Sequence, residues 1–296
     1  MDRRHLRDFI GTKLMLSVTA IISVLFFVIF FILLFRSLAL FEATSLPELL
    51  FSTLWNPEKG SFGLSAILIG TILVTGLSLI IAIPISLLCA IYISEYSHEK
   101  IRRILRPFLD VLAGVPSVVY GLCAFIVIVP LTRDVFSPLF GVSSTGLCVF
   151  SASLVLAVMV FPIIISLCVE TFSAIPIELK EASLSVGATR WETVKKVIFR
   201  ASTPSIISAV LLGFGRAFGE TIAVNMVIGG LPKIPATLFS PAQTLASLIA
   251  SAYGELMSVP LYESALMFVA LLLFVVVVIF NILGVLVLKR SKRRFK

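Results

Sequence analysis

Two charged residues stand in a run of chain that is otherwise too apolar to hold charge. Arg216 and Glu220 lie four residues apart in Gly213-Phe214-Gly215-Arg216-Ala217-Phe218-Gly219-Glu220-Thr221, inside a stretch, 205–228, long enough to cross a bilayer. On a continuous helix that spacing puts them on one face. An ionisable group in a span costs at least about 2.5–3.5 kcal/mol on insertion scales, so such groups face a bundle interior or an aqueous path. Glu220 would offset part of that cost. Arginine suits one chemistry in particular, because its planar fork of donors matches the oxygens of a tetrahedral oxyanion and stays charged at any working pH. A neighbouring carboxylate competes for the guanidinium, so an anion held there can leave again, as passage requires. The expectation is a substrate path, with Arg216 as the transient anion contact and Glu220 as the residue that holds and moderates it. The plainer alternative is an ion pair that only orients the helix.

A second patch of chemistry is the polar interruption from Glu178 to Pro204, between two apolar runs. Pro176 suits a first helical position, Glu178 and Glu181 place negative charge near a helix N-terminus, and Gly187 supplies a stop. Thr189 followed by Glu192 predicts a capping box for a second helix. In that helix Trp191, Val194, Val197 and Ile198 recur at helical spacing opposite Lys195, Lys196 and Arg200. The reading is helix, tight turn, helix, outside the membrane, with the chemistry of a docking surface.

The elements that must carry these groups follow from composition. A chain of 296 residues with 59% hydrophobic and only 14% charged residues is too apolar for an ordinary soluble domain. A hydrocarbon core about 30 Å thick needs about 20 helical residues, and six runs qualify: 14–35, 64–93, 108–129, 147–169, 205–228 and 264–288. Of the 24 Lys and Arg residues, 19 fall in the N-terminal tail, the 94–107 and 170–204 loops and the C-terminal tail. The opposite loops hold only Arg36, Lys59, Arg133 and Lys233. Cytoplasmic flanks carry the basic excess, so both termini are expected in the cytoplasm. The net charge of +8 mostly reflects this topology, and the basic tail at 289–296 reads as a stop-transfer flank in contact with lipid rather than a nucleic-acid arm.

The first run is followed by Arg36 rather than a small-residue cleavage site, so it is read as a transmembrane helix and not a signal peptide. With the outer loop that follows, it makes an addition at 1–62 in front of a five-helix core at 63–288. Pro84, Pro116 and Pro162 fall within the expected spans, and Gly213, Gly215 and Gly219 cluster in the fifth. Packing explains these more simply than gating. Leu245 to Ala252, in the long outer segment 229–261, is apolar enough for a short re-entrant or surface helix. Cys89, Cys123, Cys148 and Cys168 show no metal-ligand spacing and read as packed, reduced residues.

The run Glu181-Ala182-Ser183, then Gly187, nine residues and Val197 resembles the EAA signature of ABC importer permeases. The resemblance narrows further on. Gly114-Val115-Pro116-Ser117-Val118-Val119-Tyr120-Gly121-Leu122, together with Gly215-Arg216-Ala217-Phe218-Gly219-Glu220-Thr221, is similar to the phosphate importer permeases, the PstC and PstA pair. Leu50-Phe51-Ser52-Thr53-Leu54-Trp55-Asn56-Pro57, Phe62-Gly63 and Gly70-Thr71 resemble the PstC branch more. The resemblance implies an all-α membrane protein with a type I (MetI-like) permease core and an extra N-terminal helix, in a bacterial or archaeal cytoplasmic membrane. It implies a PstA-like second permease, a PstB-like ATP-binding dimer that receives the loop at Glu181, Ala182 and Gly187, and a PstS-like external protein that delivers inorganic phosphate. A functional Arg and Glu of the family map to Arg216 and Glu220. Two positions depart from the family pattern: Ser183 replaces the third residue of the triplet, where a neutral effect is expected, and Arg200 stands where proline is usual.

No Gly-Lys-Ser/Thr phosphate loop occurs, so energy for transport is expected from a partner and no cofactor is called for. A permease for sulfate or molybdate remains an alternative, because one Arg recognises charge and geometry rather than phosphorus. A membrane scaffold or sensor that lines no path is another. A membrane enzyme finds little support: His5 and His98 both lie in flanks, and no convergent acid–base set accompanies them.

Overall fold

In lipid every backbone N–H and C=O must be satisfied within the chain, which leaves helices as the form for long apolar runs. The computed structural model describes residues 3–254 and 260–294 and is helical almost throughout. In chain order, α1 (Arg3–Ala43) leads to a short α2 (Leu46–Phe51) and a two-stranded hairpin, β1 (Trp55–Asn56) and β2 (Ser61–Phe62). Then follow α3 (Ser65–Tyr96), α4 (Glu99–Gly114), α5 (Ser117–Leu139) and α6 (Val149–Ser173). The remainder is α7 (Ile177–Ser185), α8 (Arg190–Gly219), α9 (Ile222–Val227), α10 (Leu245–Ala252) and α11 (Pro260–Arg294). Among the described residues six helices are long and apolar enough to cross a membrane: α1, α3, α5, α6, α8 and α11.

Two of the expected spans are displaced. The run at 108–129 does not form one helix. The chain leaves helical geometry at Val115 and Pro116, so α4 ends at Gly114 and the span is α5, which continues to Leu139. Proline lacks an N–H and biases its predecessor towards extended backbone, and Pro116 therefore stands at the break and not within the span. The region ahead of it, α4, is amphipathic: Leu105, Leu109 and Leu112 turn towards the protein, whereas Arg103, Arg106 and Asp110 are exposed. Farther along, the expected span 205–228 begins earlier and is interrupted. Helix α8 runs without a break from the capping box at Thr189 to Gly219, and α9 follows as a separate short helix.

Within α5 two π turns, Ala124–Ile128 and Thr132–Phe136, precede Pro130 and Pro138. A proline ring clashes with the carbonyl four residues back. For Pro130 that is Ile126 and for Pro138 it is Asp134, each inside a π turn, whose wider coil relieves the clash.

Helix α6 is the most enclosed span and packs against α3, α4 and α8. Its small and branched residues, Ala152, Val155, Ala157, Val160 and Ile164, let those neighbours approach. A second cluster joins Leu40, Leu49, Phe62 and Leu64 to Tyr262, Leu266 and Val269 of α11. Helix α1 packs along α11, with Phe26 and Phe274 rings 4.9 Å apart, and Arg36 closes their far end by an ion pair to Glu263 at 2.6 Å. In the hairpin Trp55 faces Phe62 and Asn56 faces Ser61, across a turn completed by Gly60 at φ +71°. Leu245–Ala252 is helical as expected, but it is buried rather than a surface helix, with Leu245, Ala246, Leu248 and Ala252 all covered. All four cysteines are free, and Cys123 is exposed rather than packed. The outer segment 229–261 is described except at 255–259. The basic tail is described as helix to Arg294, with residues 295–296 outside the described residues.

Candidate functional site

Arg216 sits in the last turn of α8. The helix ends three residues later, and Glu220 is extended at φ −70°, ψ 124°. The two residues therefore do not share the face of one helix, and among the described residues no ion pair joins them. Each charge is instead offset by a helix end. Arg216 lies where the partial negative charge of the α8 C-terminus favours a cation. Glu220 Oε1 accepts the Ala223 N–H at 3.3 Å, covering a donor that α9 leaves free. The interruption has a local cause: Gly219 is a poor helix former, and the Glu220 and Thr221 side chains bond the backbone of nearby residues, Thr221 Oγ1 donating to the Gly219 carbonyl at 3.1 Å.

The result is a half-buried guanidinium that holds no protein acceptor among the described residues. Its Nε is fully buried and unpartnered. Buried donors are rarely left without an acceptor, which sets this guanidinium apart from the other charged groups described. Around it, Gly213 presses on α6, where an added Cβ would lie 2.9 Å from Val160 Cγ1, but Gly215 and Gly219 have nothing within 4 Å. Within this chain, packing accounts for Gly213.

Helix α5 approaches α9 through Gly121, where an added Cβ would meet Met226 Sδ at 2.6 Å and Ala223 Cα at 3.0 Å. The two sequence motifs, one around Tyr120 and one around Arg216, are thus neighbours in space. Tyr120, marked in the sequence only as part of its motif and given no role there, donates its hydroxyl to the Leu112 carbonyl at 2.8 Å, beside the approach of Gly121 to α9. No periodicity or charge pattern marks it; only the tertiary approach of α5 does.

At the other end of α8 the capping box forms as expected: Glu192 N–H donates to Thr189 Oγ1 at 3.2 Å, and Thr189 N–H to Glu192 Oε2 at 2.9 Å. Pro176 caps α7 rather than opening it, and Gly187 ends it at φ +84°. Glu181, Ala182 and Gly187 are all exposed, and Val186 beside them is 83% exposed. Ser183 is in use, its hydroxyl 2.9 Å from Thr193 Oγ1, so it ties α7 to the first turn of α8. A strut unsuspected from sequence lies beneath: Lys180 Nζ donates to Glu95 Oε1 at 2.7 Å, with side chains only 16% and 15% exposed, and also approaches the Phe172 carbonyl at 3.3 Å. These 85 residues of separation leave no local signal. Helix α7 is thereby fixed to the ends of α3 and α6.

Comparison with known proteins adds the lineage. Residues 82–295 match the family described as binding-protein-dependent transport system inner membrane component. The chain is 36% identical over 254 residues to the phosphate transport system permease protein PstC of Pasteurella multocida, covering 81% of this chain and 79% of that one. It is 34% identical over 285 residues to the probable PstC of Methanocaldococcus jannaschii, covering 91% and 90%. Among solved structures it resembles a chain of a bacterial alginate ABC transporter in complex with a pentasaccharide-bound periplasmic protein, with TM-score 0.62 at 15% identity over 94% of both chains. It also resembles a chain of the MetNI methionine ABC transporter in an inward-facing conformation, with TM-score 0.57 at 19% identity over 75% of this chain and 93% of that one.

Proposed function

We propose, from the premise that the chain belongs to the binding-protein-dependent transport system inner membrane components and within them to the PstC permeases of ABC importers, that it forms with a second permease the path for inorganic phosphate. The observation that carries this is the unpartnered Arg216 at the α8–α9 break, with Glu220 one step beyond it. Phosphate near neutral pH presents both P–O⁻ and P–O–H groups. The guanidinium donates to the first, and the Glu220 oxygen not engaged by Ala223 accepts from the second. Sulfate has no proton to offer and would set two acceptors against each other, a mismatch that costs binding because neither is satisfied.

Energy comes from an ATP-hydrolysing dimer docked on α7, where Ile177, Leu179, Leu184 and Val186 stay exposed around Glu181, Ala182 and Gly187. ATP closing that dimer moves α7 as a rigid lever. The strut Lys180–Glu95 and the Ser183–Thr193 contact pass the motion to α3 and α8, and the path opens alternately to each side. Such a shift needs only that ATP bind one arrangement better than the other. An external phosphate-binding protein loads the path from the face opposite α7, both termini lie in the cytoplasm, and residues 1–62 form an addition that packs on a 63–288 permease core.

The test is uptake of labelled phosphate by cells lacking their own phosphate importer permease, supplied with this chain and its partners, with excess sulfate or molybdate in parallel. Uptake that ignores both competitors is the expected result. Uptake abolished by either one would move the substrate to another oxyanion.

A further inference from the structure

Helix α4 and helix α5 meet at a break in the backbone, at Val115 (φ −64°, ψ 130°) and Pro116 (φ −58°, ψ 141°). No backbone hydrogen bond can come from Pro116, so the junction is a natural hinge. One side chain bridges it. The Tyr120 hydroxyl, from the first turns of α5, donates to the carbonyl of Leu112 in α4 at 2.8 Å. That carbonyl also takes the Val115 N–H at 3.3 Å, so it does not depend on the phenol to be satisfied. The next residue, Gly121, abuts Ala223 of α9, whose N–H Glu220 Oε1 accepts, so α5 meets the anion site one residue from Tyr120.

We propose that Tyr120 is a third residue of the anion site and a latch that the substrate releases: with the site empty its hydroxyl ties α5 to α4 across the 115–116 break, and an oxyanion held at Arg216 draws that O–H donor away from the Leu112 carbonyl. This rests on the assignment of Arg216 to the path. The exchange is favourable because a hydrogen bond to an anionic oxygen is roughly twice as strong as one to a neutral carbonyl. No proton is transferred; the donor turns. The consequence reaches the coupling helix through contacts already formed. Arg102 of α4 donates to the carbonyls of Ile93, at 3.1 Å, and Ser94 at the end of α3. The next residue, Glu95, holds Lys180 of α7. Freeing the hinge at Leu112 therefore loosens α4, whose anchor on α3 lies beside the strut of α7, and the filled site is reported to the ATPase surface.

The experiment uses the assembled importer in proteoliposomes and compares wild type with Tyr120→Phe, which keeps the ring and removes the donor. ATP hydrolysis is measured with and without the phosphate-loaded binding protein, together with phosphate moved per ATP. The variant is expected to hydrolyse ATP without substrate about fivefold faster or more, and to move correspondingly less phosphate per ATP, the scale of an ordinary allosteric coupling. An unchanged ratio overturns the latch. Arg216→Ala, run beside it, separates the two levels: uptake retained there refutes the path itself, whereas uptake lost there with Tyr120→Phe indistinguishable from wild type refutes only the latch. A second readout covers failure of the Phe variant to assemble. With 3-fluorotyrosine at position 120, inorganic phosphate should shift the ¹⁹F resonance in the wild-type background and leave it unmoved in Arg216→Ala; no shift in either overturns the proposal.

Discussion

At the scale of single residues, the charges of Arg216 and Glu220 are met by helix ends and not by pairing with each other. Arg216 and Glu220 could be singled out in the sequence because few other charges stand in a span, but their relation could not. The four-residue spacing promised a shared face, and the break after Gly219 removed it, for reasons spread over Gly219, Glu220 and Thr221 that each look ordinary alone. Two predictions belong here. Replacing Arg216 by Lys keeps the charge but loses the planar fork, and uptake should fall about tenfold or more, given that a charged hydrogen bond is worth about 1.5–3 kcal/mol. Replacing Glu220 by Gln turns an acceptor into a partial donor. Phosphate uptake should fall while sulfate becomes an effective competitor, which a competition assay on the variant reads directly; uptake that stays high and blind to sulfate would remove Glu220 from selection.

At the scale of elements, the coupling surface was legible where its signals are local. Thr189 and Glu192 specify a capping box by themselves, and Gly187 a left-handed stop, and both form. What escaped is the Lys180–Glu95 strut, which spans 85 residues, the Ser183–Thr193 contact between two helices, and the split of an expected third span into α4 and α5. Hydropathy alone fuses those two helices, because the apolar face of α4 runs into the apolar start of α5 and only Pro116 marks the seam. Lys180→Ala leaves Glu95 without its partner and detaches α7 from α3. Phosphate moved per ATP should then drop by the equivalent of about 0.5–2 kcal/mol of coupling, while co-purification with the ATPase persists; a normal ratio would show that the strut transmits nothing. Gly187→Leu introduces a side chain at φ +84° in the exposed turn, and it should abolish stimulation of ATP hydrolysis without preventing membrane insertion, as membrane fractionation and an ATPase assay would show.

At the scale of the whole molecule, the class of the protein was readable from composition and basic-residue placement, since lipid admits few architectures. The packing order was not. That α6 forms the centre, and that α1 lies against α11, depend on which small residues meet, and six apolar runs of similar composition do not announce their neighbours. Orientation is tested by placing cysteines at Glu58 and Lys195, after removal of the native ones, and labelling intact cells with an impermeant maleimide. Position 58 should label and position 195 should not; the reverse pattern would invert the topology. The central claim, that phosphate passes by Arg216, is tested most directly by counting phosphate transported by the purified, assembled importer in proteoliposomes, as wild type and as Arg216→Ala, with assembly verified in both. Loss of transport in an intact Arg216→Ala complex is the result expected here. Transport at the wild-type rate by that complex would contradict it.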